Sequence, residues 1–370
     1  MKLRYRILSI FAVVVALAFV SLAITLSYDS PCRASAALPA GGESMKGVVN
    51  ECYGSPEVLK LEQLAKPTPA DDQLLVKVHA AALNPVDWHS MRGSPYIMRM
   101  SSGLGAPKDI RVGVDFAGTV EAVGKNVTRF KPGDDVFGGR TGAFAQYVCV
   151  RADRAVALKP PGVTFEQAAS VPIAAVTALQ ALRDRAQVKP GQKVLINGAS
   201  GGVGTFAVQI AKSLGAEVTG VCSTRNLDLV RSLGADHVVD YTKEDFTKGA
   251  ARYDALIDNV GNRGLLDCRR VLAPEGRYVL IGGGGPDAGN WIGPLAGPVK
   301  AMLLSRFVSQ EMGMYIAKLD AQDLATIGDL IQSQKVTPII DRRYTLSEVP
   351  VAVKYLETGR ARGKVIITMD

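Results

Sequence analysis

Histidine is scarce in this sequence: three in 370 residues, His79, His89 and His237. The five cysteines, Cys32, Cys52, Cys149, Cys222 and Cys268, are scattered, with no C-x-x-C pair. That spacing excludes a zinc cluster of neighbouring thiols and gives no sign of a disulfide framework, so buried or incidental thiols are expected. Runs of Lys and Arg with interleaved aromatics are also missing, which argues against nucleic acid as a partner. An anionic cofactor is enough to account for the net charge of +8. Against these absences stands a hydrophobic fraction of 47% with 21% charged residues, the make-up of an ordinary folded chain. At this length about two domains with sizeable cores are expected.

One uncharged run stands apart. After the basic Lys2, Arg4 and Arg6, residues 7–28 carry no charge, and about 20 apolar residues suffice to cross a bilayer. The expectation is a single hydrophobic N-terminal helix that anchors the chain to a membrane. A cleaved signal peptide is the competing reading, because Ala34, Ser35 and Ala36 offer an A-x-A site; cleavage would give a secreted or periplasmic product. The run exceeds the roughly 7–15 residues usual for such a segment, which favours the anchor. The basic residues before it favour an N-terminus inside, yet that would place the rest of the chain outside the cytosol, away from where an anionic cofactor is normally supplied. The side of the membrane stays open. Residues 31–44 read as a linker.

From residue 45 to about 147 the pattern is short alternating strands between turns, best at 47–51, 73–81, 118–123 and 143–150. From about residue 168 helices alternate with short apolar strands. The stretch 193–226 organises this half. Val194, Leu195 and Ile196 form an apolar run typical of a parallel strand buried on both faces. Ala199, Ser200, Gly201, Gly202, Val203 and Gly204 form a turn of A-x-G-x-x-G spacing. A helix follows over 203–214, with a further strand over 218–222. Such a turn lets the backbone approach a pyrophosphate and aims helix N–H groups at it. A lone glycine pattern reads equally as a structural turn; the strand before it and the helix and strand after it favour a dinucleotide site. Strands at 237–241, 255–259, 277–281 and within 306–315 complete a doubly wound parallel sheet. Helices over 321–333 and 347–357 and a strand over 364–368 are expected to return to the first domain. The division is therefore 1–44 for the anchor and linker, 45–167 for the first part of a largely β domain, 168–316 for a dinucleotide-binding domain and 317–370 for the return.

Cofactor choice can be argued from charge. An NAD site usually carries Asp or Glu at the end of the second strand, accepting hydrogen bonds from the ribose. Ser223, Thr224, Arg225 and Asn226 stand there instead. None repels a 2′-phosphate, and Arg225 is suited to pair with one, the competing reading being a solvated charge at a helix start. NADPH is thus expected over NADH. Asn259 and Gly261, after the fourth strand, face the cofactor crevice on this topology. Gly282 opens a glycine run, 282–285, that leaves room for the nicotinamide ribose unless it is a plain loop.

Three segments, KPGQKVLINGASGGVGTFAVQIAKSLGAEVTGVCS, GVDFAGTVEAVGKNVTRFKPGDDVFG and GSPEVLKLEQLAKPTPADDQLLVKVHAAALNPVDW, resemble the medium-chain dehydrogenase/reductase superfamily, most closely its zinc-free quinone oxidoreductase branch. The resemblance covers nearly all of 45–370. It implies an α/β fold, with a GroES-like β-rich substrate domain split by a doubly wound Rossmann domain, a cleft between them and a homodimer. Zinc-dependent members place a cysteine ligand where this chain has Asn84, and histidine followed by glutamate where it has Val114 and Asp115. Neither Asn nor Val is a zinc ligand, so no metal is expected. The same resemblance implies that Asn84 and Thr177 contact the nicotinamide end and that Tyr241 lines the 2′-phosphate pocket. For Asn84 a turn residue before Pro85 is the competing reading. His89, where related enzymes can carry a tyrosine, and Tyr96 are the candidate proton donors. His79 and His237 fall in strands and read as structural. Residues 94–108, with Tyr96, Ile97, Met98, Met100 and Leu104, suit an apolar lid over a small hydrophobic substrate, or equally packing or a dimer contact. The function implied is NADPH-driven, zinc-free hydride transfer to a quinone or α,β-unsaturated carbonyl. An enoyl thioester reductase and a low-turnover NADPH-binding sensor or structural protein are the alternatives.

Overall fold

Alternating apolar and polar residues start the β-rich half with Ser44–Asn50 (β1), which pairs antiparallel with Leu59–Ala65 (β2). The computed structural model describes every residue except 1, 34–41, 284, 286–288, 292–299, 302–304, 306–307 and 370. Gln73–Leu83 (β3), Asp115–Val123 (β4), Asp135–Gly139 (β5), Tyr147–Arg151 (β6) and Val156–Leu158 (β7) follow. β3 is the spine: β4 and β6 both pair with it antiparallel, and β5 and β7 extend the sheet beyond β4. Its length reflects continuous burial of Leu74, Leu75, Val76, Val78 and the run from Ala80 to Leu83.

The second half contributes Lys193–Asn197 (β8), Glu217–Cys222 (β9), His237–Asp240 (β10), Tyr253–Asp258 (β11), Leu272–Leu280 (β12) and Glu311–Met314 (β13). They form one six-stranded parallel sheet ordered β10-β9-β8-β11-β12-β13. This is the doubly wound order with its switch point between β8 and β11, the place where such sheets take ligands. Val194, Leu195 and Ile196 are fully buried, as strands covered by helices on both faces require. The helix Gly202–Ser213 lays Phe206, Ala207, Ile210 and Ala211 on the sheet. The strand expected from residue 306 begins at Glu311, and Arg306 itself lies outside the described residues.

After the helix Ala321–Gln332, Ile340–Thr345 (β14) and Lys364–Thr368 (β15) join the other sheet, with β15 antiparallel to β3. The chain end is thereby brought against the dinucleotide turn: Gly363 bridges Gly201.

Two expectations about the N-terminus need correction. Residues Lys2–Ser27 are helical, but among the described residues no helix is long and apolar enough to cross a membrane, so the single-helix anchor is set aside. Lys2, Arg4 and Arg6 lie inside the helix, and its last turn is engaged by the protein: Leu26 is buried, and the carbonyls of Leu26 and Tyr28 accept hydrogen bonds from Arg99. The A-x-A run at 34–36 lies outside the described residues. Secondly, the thiols are not all incidental. Cys32 and Cys52 form a disulfide with their Cα atoms 4.6 Å apart; twenty residues separate them, and no local spacing announces the pair.

Candidate active site

The dinucleotide turn leaves β8 through Gly198, whose φ of +75° favours glycine. At Gly204 a Cβ would lie 2.1 Å from the Gly198 carbonyl oxygen, so only glycine lets the helix start this close to the strand. Nothing nearer than 3.5 Å faces a Cβ at Gly201, leaving open space above the turn. The first N–H groups of Gly202–Ser213 point out of its N-terminus, as an anion site needs. Ala199, Ser200, Gly201, Gly202, Val203 and Gly204 therefore gather at the switch point. Asn259 and Gly282 join them from the ends of β11 and β12. Asn259 donates to the Asn197 carbonyl, while its Oδ1 is buried with no partner. A Cβ at Gly282 would strike the Asn259 carbonyl oxygen at 2.2 Å. Gly284 lies outside the described residues.

At the far end of β9, Asn226 donates to Ser200 at 2.9 Å and to Ser223 at 3.3 Å, tying the turn to the ribose end. The Oδ1 of Asn226 is another buried acceptor with no donor. Arg225 is exposed and donates to the Arg360 carbonyl at 2.7 Å. That contact brings the backbone of Arg360, 135 residues away in sequence, to the end of β9. Tyr241 is half exposed and hangs from the Cys222 carbonyl through its N–H. A carboxylate does approach, Asp240 from β10, but the Thr224 and Thr242 hydroxyls and the Thr242 N–H donate to it. These donors hold it below the usual carboxylate range, Thr224 first.

On the substrate side Asn84 is buried as N-cap of the helix Pro85–Arg92. Its amide is already committed. Nδ2 donates to Asp115 at 2.9 Å and to the Ala82 carbonyl, while Oδ1 accepts from Lys364 at 2.6 Å. Asp115 also accepts the Ile173 N–H and sits 3.6 Å from Lys364, so it links β4, β15 and the start of Pro172–Gln180. Thr177, one turn further along that helix, is buried. Asp87 closes the cluster by accepting the Asn84 N–H at 2.8 Å. Two carboxylates share one ammonium in a sealed space, and an unpaired buried charge is costly. Burial pushes Asp87 up to about 7, the neighbouring Asp115 charge adding to it against the Asn84 N–H, and lifts Asp115 to about 6 against the pull of Lys364. Burial likewise drives Lys364 below its ordinary value. A lone lysine opening an otherwise apolar strand was the available sequence signal for this cluster.

His89 lies in the last turn of the helix Pro85–Arg92 and Tyr96 in the short turn that follows it. The His89 ring stacks on Trp88, and its Nδ1 lies 2.8 Å from the Ser94 carbonyl oxygen. A carbonyl can only accept, so Nδ1 carries the proton and the neutral ring presents a bare Nε2. Burial depresses its pKa, against the Ser94 contact. Tyr96 OH instead accepts from Asn290 at 3.2 Å, leaving its own proton free to be donated. The Ser94 hydroxyl donates to the same amide at 2.9 Å, the Tyr96 N–H donates to the Asn290 carbonyl, and the Tyr96 ring meets Trp291 edge to face. Asn290 and Trp291, neither anticipated from sequence, come from the loop after β12, so they join the two halves across the cleft.

Residues 70–160 match the alcohol dehydrogenase GroES-like domain family and residues 233–367 the zinc-binding dehydrogenase family. The chain is 35% identical over 330 residues to a 2-methylene-furan-3-one reductase of Solanum lycopersicum, covering 85% of this chain and 76% of that one. The chain belongs to the medium-chain dehydrogenase/reductase superfamily. An NADPH-dependent alkenal/one oxidoreductase of the chloroplast of Arabidopsis thaliana is 34% identical, over 90% of this member and 81% of that protein. The solved quinone oxidoreductase of Coxiella burnetii superposes with a TM-score of 0.78 at 32% identity, over 89% of this chain and all of the other. This member sits in the zinc-free branch on its donor chemistry: Asn84 spends its amide on Asp115 and Lys364, and Val114 offers no lone pair. Among the described residues no group of three His, Cys, Asp or Glu is placed to hold a metal ion.

Proposed function

We propose that this protein is an NADPH-dependent, zinc-free reductase of quinones or α,β-unsaturated carbonyls. The observation that carries the reading is the Asn84, Asp115 and Lys364 cluster, whose internal hydrogen bonds occupy the place where an alcohol-oxidising relative needs an open Lewis acid. The residues present suit a dinucleotide. Ala199 to Gly204 would hold the pyrophosphate, the orphaned Asn226 and Asn259 oxygens invite ribose hydroxyls, and Arg225 would pair with the 2′-phosphate beside Tyr241. When bound there, the cofactor supplies a hydride from the nicotinamide C4. Thr177 and Gly282 would border the nicotinamide. Asn84 then serves as a fixed part of the cleft floor rather than a carboxamide ligand, since its amide is committed elsewhere.

For the proton, Tyr96 is the better donor. Its hydroxyl receives a hydrogen bond from Asn290, which stabilises the phenolate left behind, whereas neutral His89 has no proton on its free nitrogen. Protonating the α-carbon while hydride reaches the β-carbon completes the reduction without a metal. Ile97, Met98, Met100 and Leu104 are exposed in the segment around Tyr96 and suit a small apolar substrate. The reading includes domain limits near 168 and 317. It also includes a homodimer through the β13 edge, where Ile316 is 78% exposed. Sedimentation of the full chain as a monomer would remove the dimer from it. The activity is tested by NADPH oxidation with a panel of quinones and enones.

A further inference from the structure

Arg99 is the largest fully buried side chain among the described residues, 1% exposed, and it plays no part in the chemistry above. Its guanidinium lies over the Tyr53 ring at 4.3 Å and the Tyr96 ring at 4.4 Å. Nε donates to the Gly93 carbonyl at 2.8 Å and Nη2 to the Arg92 carbonyl at 3.1 Å, so its side chain ties the end of the 93–99 turn back to its start. Its remaining partners come from the N-terminal extension. Nη1 donates to the carbonyls of Leu26 and Tyr28 and pairs with Asp29 at 2.9 Å. A helix leaves its last carbonyls without intrahelical donors, and a buried guanidinium needs a carboxylate, so each satisfies the other.

Two more contacts fasten the extension to the same place. The Ser30 N–H donates to the Gly105 carbonyl at 2.9 Å. Cys32 is joined to Cys52, whose neighbour Tyr53 stacks on Arg99 and donates to the Gly103 carbonyl at 2.8 Å. Gly93 and Gly105 leave no room for side chains: a Cβ would lie 2.6 Å from Tyr53 and 2.5 Å from Ser30 respectively. The extension thus braces the segment that carries Tyr96 over the cleft.

We propose that Arg99 is a positioning residue for Tyr96 and the substrate mouth, and that residues 26–32, fastened by the Cys32–Cys52 disulfide, keep it in place. Reduction of that bond by a dithiol, which becomes a cyclic disulfide as two thiols form, releases the strap and loosens the mouth. The kinetic part rests on the reductase reading; the structural part does not.

The test uses the full chain, oxidised or treated with a dithiol, together with Cys32→Ser and Asp29→Asn, both at exposed positions. Backbone hydrogen exchange is followed over 93–105, with 198–204 as the internal control. Reduction and Cys32→Ser are expected to speed exchange over 93–105 about tenfold or more and leave the control unchanged. They should also lower kcat about fivefold through the misplaced Tyr96 and raise KM for a bulky apolar enone about fivefold, with the Kd for NADPH held within about twofold. Asp29→Asn should act in the same direction. Unchanged exchange over 93–105 in all three would overturn the proposal, as would equal loosening of the β3 and β4 amides. If exchange responds but no enone is turned over by the intact chain, the positioning role stands and the reductase reading falls.

Discussion

Arg225, Tyr96 and Asp87 each make a separable claim. Charge-assisted hydrogen bonds are worth about 1.5–3 kcal/mol, so Arg225→Ala should raise KM for NADPH roughly tenfold to a hundredfold and leave NADH little changed; an unaltered NADPH to NADH ratio of kcat/KM contradicts the 2′-phosphate role. General acid catalysis contributes about 10²–10⁴-fold. Tyr96→Phe should lower kcat by about two orders of magnitude, whereas His89→Phe should stay within several-fold because the neutral ring has no proton to give. The reverse ranking in steady-state assays would make His89 the donor. Asp87 is held near 7 in the fold against 3.8 for the free group. The native state therefore keeps a proton that the unfolded chain releases: this contribution is fully present below about pH 3.8 and is lost as pH rises through about 7. Asp87→Asn should flatten the fall in Tm between roughly pH 4 and 7, though not abolish it, since Asp115 titrates with the same sign at about 6. An unchanged slope would mean that Asp87 is not the proton holder.

Elements differ in how plainly their sequences declare them. The parallel strands and the helix Gly202–Ser213 were legible because burial on both faces leaves only apolar residues to choose from. β14, with sequence IDRRYT, reads as charged because it is an edge strand with one face in water, and β2 carries Lys60 and Glu62 for the same reason. The glycine turn was legible through spacing, but the Asn84, Asp87, Asp115 and Lys364 cluster was not. It forms only when residues 84 and 364 are brought together by the β3 and β15 pairing. The N-terminal run misled because hydrophobicity alone cannot report that Arg99 and the disulfide engage its end. At the scale of the turn, Gly204→Ala should abolish NADPH binding and lower Tm by several degrees, since the new Cβ would overlap the Gly198 carbonyl. Gly283→Ala, where nothing lies within 4 Å of a Cβ, should leave the apo protein's Tm unchanged. Near-normal NADPH titration of Gly204→Ala would show that the close approach is dispensable.

The whole molecule is tied across its cleft at two points: the Lys364 cluster with the Gly201 and Gly363 bridge on one side, and Ser94 and Tyr96 with Asn290 and Trp291 at the mouth. A ligand seated between the halves should stabilise both. Saturating NADPH at about 100 times its Kd adds about 2.7 kcal/mol, which should raise Tm by several degrees, with a smaller shift for NADH at the same concentration. Equal shifts would argue against recognition of the 2′-phosphate. The most direct measurement is steady-state oxidation of NADPH by the full-length chain with quinones, small enones and a secondary alcohol series run in reverse, with zinc quantified in the same sample. The account predicts NADPH-driven reduction of a quinone or enone, insensitive to chelator, with less than about 0.1 zinc per chain on the donor chemistry of Asn84 and Val114. Alcohol oxidation that requires stoichiometric zinc, with no reduction of any quinone or enone, would contradict it.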